Sequence, residues 1–218
     1  MNDKLYNVCK QSGLNIGFVA EVGVYLPETS NVLGFIRDGC SALLVEPDPV
    51  CIDRIRDYFG EYSNVQIVQK AIFDKCGSIN LFRNNASTFV EGISASPALV
   101  NDRYKPKNED KFSAEAITFD RIDNGKIELL SVDTEGCEWF VLMNLISRPK
   151  VISLETHGKK YVNPYIDKIT KWIENNDYKE WYKDTSDTVY IKKEYFTLLI
   201  YNEDEKRGLF AKLKRMFN

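Results

Sequence analysis

The sequence predicts an α/β domain, a mostly parallel sheet covered by helices on both faces. Short apolar runs rich in β-branched residues alternate along the chain with segments of helical spacing. Those runs are apolar throughout rather than at every second place, as a strand buried on both faces requires. Each run also ends in polar or acidic residues, which bears on function.

The first strand is "IGFVAEV" (16–22), closed by an acid and a glycine. "ETSNVLGFIRDG" (28–39) then sets Val32, Leu33, Phe35 and Ile36 at helical spacing and stops at Gly39. "SALLVEPDP" (41–49) repeats the pattern of apolar strand, acid and turn, and "VCIDRIRDYFGEY" (50–62) is an amphipathic helix with Ile52, Ile55 and Phe59 on one face. "NVQIVQKAIF" (64–73) and "GSINLFR" (77–83) are predicted strands. Residues 84–114 have weak periodicity, many Ser and Asn, and two prolines, and are predicted to be a long irregular loop covering a binding site. "KIELLSVD" (126–133) is a buried strand, "EWFVLMNLI" (138–146) a helix and "KVISLET" (150–156) a further strand. "NPYIDKITKWIENND" (163–177) carries an apolar stripe of Ile166, Ile169, Trp172 and Ile173. "YKEWYKD" and "TVYIKKEYF" alternate with period two and predict a closing pair of strands at an antiparallel edge.

One domain is expected over 1–195, followed by a basic amphipathic tail over 196–218. In the tail Leu209, Phe210, Leu213, Met216 and Phe217 form one stripe, opposite Lys206, Arg207, Lys212, Lys214 and Arg215. Such a stripe suits a docked terminal helix first, and a weak contact with a membrane surface or another protein second.

The 218 residues are 44% hydrophobic and 28% charged, which fits one globular domain with a core of its own. A net charge of -3 argues against a nucleic-acid partner, which would call for a basic face. The start lacks the apolar core of a signal peptide, and no run approaches the roughly 18 apolar residues of a membrane helix. Five widely spaced cysteines with no C-x-x-C argue for a reducing compartment, so a cytoplasmic setting is expected, with a homo-oligomer open.

In an open parallel sheet, ligands bind beyond the carboxyl ends of the strands. Here those ends read "EVGVYLPETS", "VEPDP", "QKA" and "VDTEG". The first is a poor pyrophosphate loop. After Gly23 it has Tyr25 and Glu28 where a dinucleotide fingerprint has glycines, and there is no G-K-[ST]. A nucleoside without phosphate and with positive charge suits it better, S-adenosylmethionine among them. Glu21 would face the cation, and Gly23 would let the chain pass close. Glu46, at the second strand end, is placed to accept ribose hydroxyls, the bland alternative being a cap for the helix beginning near Asp48.

"EVGVYLPETSNV", "LLVEPDP" and "LLSVDTEGCEWFVL" together resemble the FkbM-type family of S-adenosylmethionine-dependent methyltransferases, from about Ile16 to about Thr156. The last motif, Val132 to Glu138, is the most specific. The first departs from the family pattern: Glu21 stands for the usual Asp, Val24 for the usual Ala, and Pro27 where many members have a second glycine. The resemblance implies a single Rossmann-like class I methyltransferase domain with a seven-stranded sheet and an antiparallel last strand. It also implies S-adenosylmethionine as cofactor, S-adenosylhomocysteine as product, and O-methylation of a sugar, glycan or small natural product. With the strand-end positions it assigns Glu21, Gly23, Tyr25, Ser30, Glu46, Pro47, Asp48, Ala71 and Asp133 to the cofactor. The alternatives are a non-catalytic relative and an NAD-binding protein.

A hydroxyl acceptor needs a base within about 2.6–3.2 Å. The candidates are Asp133, Glu135 and His157, the chain's one histidine. Glu138 is expected in the first helical turn, where the dipole favours a carboxylate. Glu135 also suits acceptor hydroxyls or a metal, but the carboxylates lack a decisive ligand set, and no metal ligand is assigned. In the 84–114 segment, Asn84, Asn85 and Ser87 are placed to reach the cofactor, and Tyr104, Lys105 and Lys107 an acidic acceptor.

Overall fold

The computed structural model describes residues 4–199. Its main sheet has seven strands in the order β10-β11-β9-β8-β1-β2-β3. These are β1 (Phe18–Val22), β2 (Ser41–Val45), β3 (Val65–Val68), β8 (Leu129–Val132), β9 (Val151–Glu155), β10 (Tyr178–Lys183) and β11 (Asp187–Lys192). β3, β2, β1, β8 and β9 run parallel, and β11 is antiparallel to both its neighbours. The last strand is therefore antiparallel as predicted. It sits one place in from the edge, with β10 outside it.

Consecutive residues of each central strand enter opposite cores, which explains their unbroken apolarity. Val19, Leu44, Leu129 and Val151 pack with Leu5, Leu33, Ile36, Ile55 and Phe59 on one face. Those partners come from α1 (Lys4–Gln11), α2 (Leu33–Arg37) and α3 (Pro49–Phe59). Ala20, Leu43, Leu130 and Ile152 pack with Val141, Leu142, Ile169 and Ile173 on the other. There the cover is α5 (Glu138–Leu142) and α6 (Ile166–Asn175).

Four expectations need correcting. Residues 84–114 are not one irregular loop but contribute to a second sheet of four strands, ordered β4-β7-β5-β6. It consists of β4 (Ala71–Ile72), β5 (Gly77–Asn84), β6 (Ser87–Val90) and β7 (Lys111–Ile117), with α4 (Pro97–Val100) between β6 and β7. Asn85, at φ 53, turns the β5–β6 hairpin. The predicted strand 64–73 is divided between the two sheets, as β3 and β4. The predicted helix 28–39 is a 3-10 turn at Pro27–Thr29 followed by the short α2. Residues 193–196, expected to end the closing strand, are instead part of a helical stretch over 193–199. α1 was not foreseen, and the predicted amphipathic tail lies almost wholly outside the described residues. No helix of the described residues is long and apolar enough to cross a membrane.

Candidate active site

The carboxyl ends of β1, β2 and β8 open onto a cavity of about 420 Å³, with the second sheet on its far side through Ala71, Leu81, Thr88 and Val90. Gly23 makes the approach of β1 to β8 possible. It has φ +85, and a Cβ there would lie 1.8 Å from the Asp133 carbonyl oxygen. Tyr25 is also in left-handed backbone, at φ 58.

Glu46 holds this turn in shape. Its Oε2 accepts from the backbone N–H of Val24 at 3.1 Å and Tyr25 at 3.0 Å, and its Oε1 from Asp48 N–H at 3.0 Å. A carboxylate has about four lone-pair sites, so one is left over on a residue that lines the cavity. Glu46 is thus not the cap of the next helix, a role Asp48 takes, but it orders both turns and keeps one acceptor position spare. Burial raises its pKa against those hydrogen bonds.

Glu21 is buried in β1 and accepts from Ser30 Oγ at 2.5 Å and Asn31 N–H at 2.8 Å. Burial pushes it up to about 7, the hydrogen bonds from Ser30 and Asn31 opposing the rise. Ser30 thereby serves Glu21 and is not on the cavity wall. Asp48 is off the wall as well: it caps α3 by accepting from Val50 N–H at 2.8 Å, and both its oxygens bind Arg83 of β5. Pro49 at the first position completes that helix start. The other residues assigned to the cofactor, Glu21, Gly23, Tyr25, Glu46, Pro47, Ala71 and Asp133, all line the cavity.

The wall is strongly acidic. Glu21, Glu46, Asp133, Glu135, Asp184 and Asp187 line it, against Lys4 and Lys70. Lys70 is moreover paired with Glu115. Lys4, Lys70 and the loop at Asp184 to Asp187 had no signal in the sequence; β11 and the turn before it bring the two acids in from the far end of the chain. Of the candidate bases, Asp133 and Glu135 are on the wall; His157 is not, and touches it through the Asp184 carbonyl. The histidine's ring nitrogens are engaged, Nδ1 with Thr156 Oγ1 at 2.9 Å and Nε2 with the Asp184 carbonyl at 3.1 Å. Tyr104 binds Asp110 and packs edge-on to Phe89 rather than lining the cavity.

A family model described as the methyltransferase FkbM domain matches residues 12–180. The chain belongs to the FkbM family of S-adenosylmethionine-dependent methyltransferases. None of the curated proteins compared matches it. Among solved structures it is similar to the methyltransferase domain of a bacterial Hen1, at 10% identity and TM-score 0.48, covering 87% of this chain and 97% of that one. A ribosomal protein L11 methylase from Lactobacillus delbrueckii subsp. bulgaricus is 9% identical at TM-score 0.47, covering 87% and 76%. A SAM-dependent methyltransferase from Aquifex aeolicus is 12% identical at TM-score 0.43, covering 87% and 89%.

The FkbM motif at 132–138 builds the site's other corner. Glu135, at φ 55, and Gly136, at φ 103, make a left-handed turn after β8, and a Cβ on Gly136 would meet the Ala95 carbonyl at 2.5 Å. Glu138 opens α5 as expected, yet it is wholly buried rather than on the cavity wall. Its Oε1 accepts from Thr134 N–H at 2.7 Å, Thr134 Oγ1 at 3.1 Å and Gly136 N–H at 3.3 Å, and its Oε2 from Asn163. Burial, with the neighbouring carboxylates, raises Asp133 and Glu155 far above the usual carboxylate range. Burial pushes Glu135 up to about 8, opposed by a hydrogen bond from Ser87, one of the three residues of that segment expected to reach the site.

Proposed function

We propose that this FkbM methyltransferase moves the methyl group of S-adenosylmethionine onto a hydroxyl of a sugar, a glycan or a small natural product. The observation that carries the reading is the acid-lined cavity at the ends of β1, β2 and β8. A ligand bearing sulfonium and ammonium charges suits such a wall, whereas a pyrophosphate does not. In this reading Glu21 faces the cationic end and the spare acceptor position of Glu46 takes a ribose hydroxyl. Gly23 and Tyr25 shape the passage between them.

The reaction is an in-line displacement: the sulfur–methyl bond breaks as the oxygen–methyl bond forms, and the acceptor's proton leaves to a base. The chain's task is mainly to hold acceptor oxygen, carbon and sulfur collinear, which is worth about 7–11 kcal/mol. Asp133 or Glu135, both on the wall, takes the proton; His157, with both nitrogens engaged, is the weaker candidate. The second sheet, closing the cavity from the other side, is where acceptor choice would reside.

Thermal unfolding with S-adenosylmethionine, S-adenosylhomocysteine and NAD in parallel tests the cofactor. At about 100 times its Kd a ligand adds about 2.7 kcal/mol, which moves the midpoint of a domain this size by roughly 5–11 °C. A shift with the two sulfur nucleosides is expected. A shift with NAD alone overturns the reading.

A further inference from the structure

We propose that Asp133, Glu138 and Glu155 form a binding site for a hard divalent cation of the magnesium, manganese or calcium class, beside the cavity. β8 and β9 are parallel neighbours with Val132 opposite Leu154, so the residue following each, Asp133 and Glu155, emerges side by side. The 132–138 turn folds Glu138 back toward them. One carboxylate oxygen from each of the three lies within 4.8 Å of the others. That spread fits oxygens arranged around one ion at about 2.0–2.6 Å.

A second observation points to a missing ligand. Among the described residues the buried side-chain atoms with no hydrogen-bond partner are Glu135 Oε2, Glu155 Oε2 and Tyr161 Oη. All three belong to this corner. Glu155 is 6% exposed, Glu135 7% and Tyr161 1%, and the Tyr161 hydroxyl lies 3.4 Å from where a Cβ on Gly136 would be. Buried polar atoms are nearly always paired, so three orphans around one carboxylate cluster imply a partner that protein atoms do not supply. No described lysine or arginine forms an ion pair with any of the four acids.

Glu138 is prepared as a ligand should be: four donors from Thr134, Gly136 and Asn163 hold its carboxylate, leaving one acceptor position on Oε2. An all-carboxylate set selects hard, oxygen-seeking ions over zinc or copper. Because Asp133 also lines the cavity, the ion would stand next to the acceptor. That last step rests on the methyltransferase reading proposed above; the binding site does not.

The test is direct titration of the metal-stripped full chain with Mn²⁺, followed by the free-ion electron paramagnetic resonance signal, without cofactor or acceptor. One saturable ion is expected, with Mg²⁺ or Ca²⁺ competing. Glu155→Gln should weaken it by at least about tenfold, and Asp133→Asn should do likewise. Glu180→Gln, on β10 and paired with Lys183, should not change it. The ion should raise the wild-type Tm, and EDTA should reverse the rise. Absence of saturable binding to the wild type, or wild-type affinity in both ligand variants, overturns the proposal. So does a metal-free Glu155→Gln that gains Tm while Mn²⁺ leaves the wild-type Tm unchanged, since the acids would then be sharing protons only. Failure of methyl transfer has no bearing on any of these readings.

Discussion

At the scale of single residues, Gly23 separates conformational freedom from space. Gly13 and Gly23 both sit at positive φ, +69 and +85, but nothing lies within 4 Å of a Cβ on Gly13. Gly13→Ala should therefore cost only the left-handed backbone, about 1–2 kcal/mol. Gly23→Ala must in addition push Asp133 away, parting β1 from β8 at the site. Urea unfolding should show the larger loss for Gly23→Ala, and the midpoint shift with S-adenosylmethionine should disappear in that variant alone; equal losses would mean that the close approach is unimportant. Gly23, Glu21 and Glu46 were legible in the sequence because each stands at the end of an apolar run. The services they receive were not legible. Ser30 was placed at the cofactor, but its hydroxyl donates to Glu21 across the turn. Glu138 and Glu155 could not be joined from the sequence, since only the pairing of β8 with β9 brings them together.

At the scale of elements, the Asp48–Arg83 pair fastens the second sheet to the first. Asp48 does two jobs, as cap of α3 and as partner of the β5 guanidinium, and its side chain is 1% exposed against 37% for Arg83. Asp48→Asn keeps a capping oxygen and removes the charge, so it isolates the ion pair; a loss of about 1.5–3 kcal/mol is expected for charge-assisted hydrogen bonds. Asp48→Ala should cost about 1 kcal/mol more, the value of the cap. Denaturant titration of the two variants distinguishes them, and identical losses would show that the cap contributes nothing. The helices and strands of the main sheet were readable because α3 and α6 have clear apolar stripes and β2, β8 and β9 are apolar on both faces. The second sheet was not. β5 is exposed or half-buried over most of its length, and β6 is four residues long, so neither shows a period. α1 offers only Leu5 and Cys9 as buried residues, too little pattern for a helix to declare itself.

At the scale of the whole molecule, the cysteines report on whether helices and sheets are packed as described. Cys9 on α1, Cys51 on α3 and Cys137 before α5 are buried, Cys40 is half-buried, and Cys76, between β4 and β5, is exposed. Burial pushes the Cys9 and Cys51 thiols up to about 12 and raises Cys137 and Cys40 as well. Cys40 in addition donates to the Ile16 carbonyl at 3.0 Å. The thiolate is the reacting form, so at pH 8 a thiol with a pKa near 12 presents only about one part in ten thousand as thiolate, quite apart from its inaccessibility. An aromatic disulfide reagent at pH 8 should therefore release one fast equivalent from the native chain and five in guanidinium. Cys76→Ser should remove the fast equivalent and leave the rest unchanged. Rapid release of two or more would mean that α1 or α3 opens readily from its face of the sheet. Because α3 starts at Asp48 and carries Cys51 one turn inside it, a thiol newly exposed in Asp48→Ala but not in Asp48→Asn would tie that opening to the lost cap rather than to the lost charge.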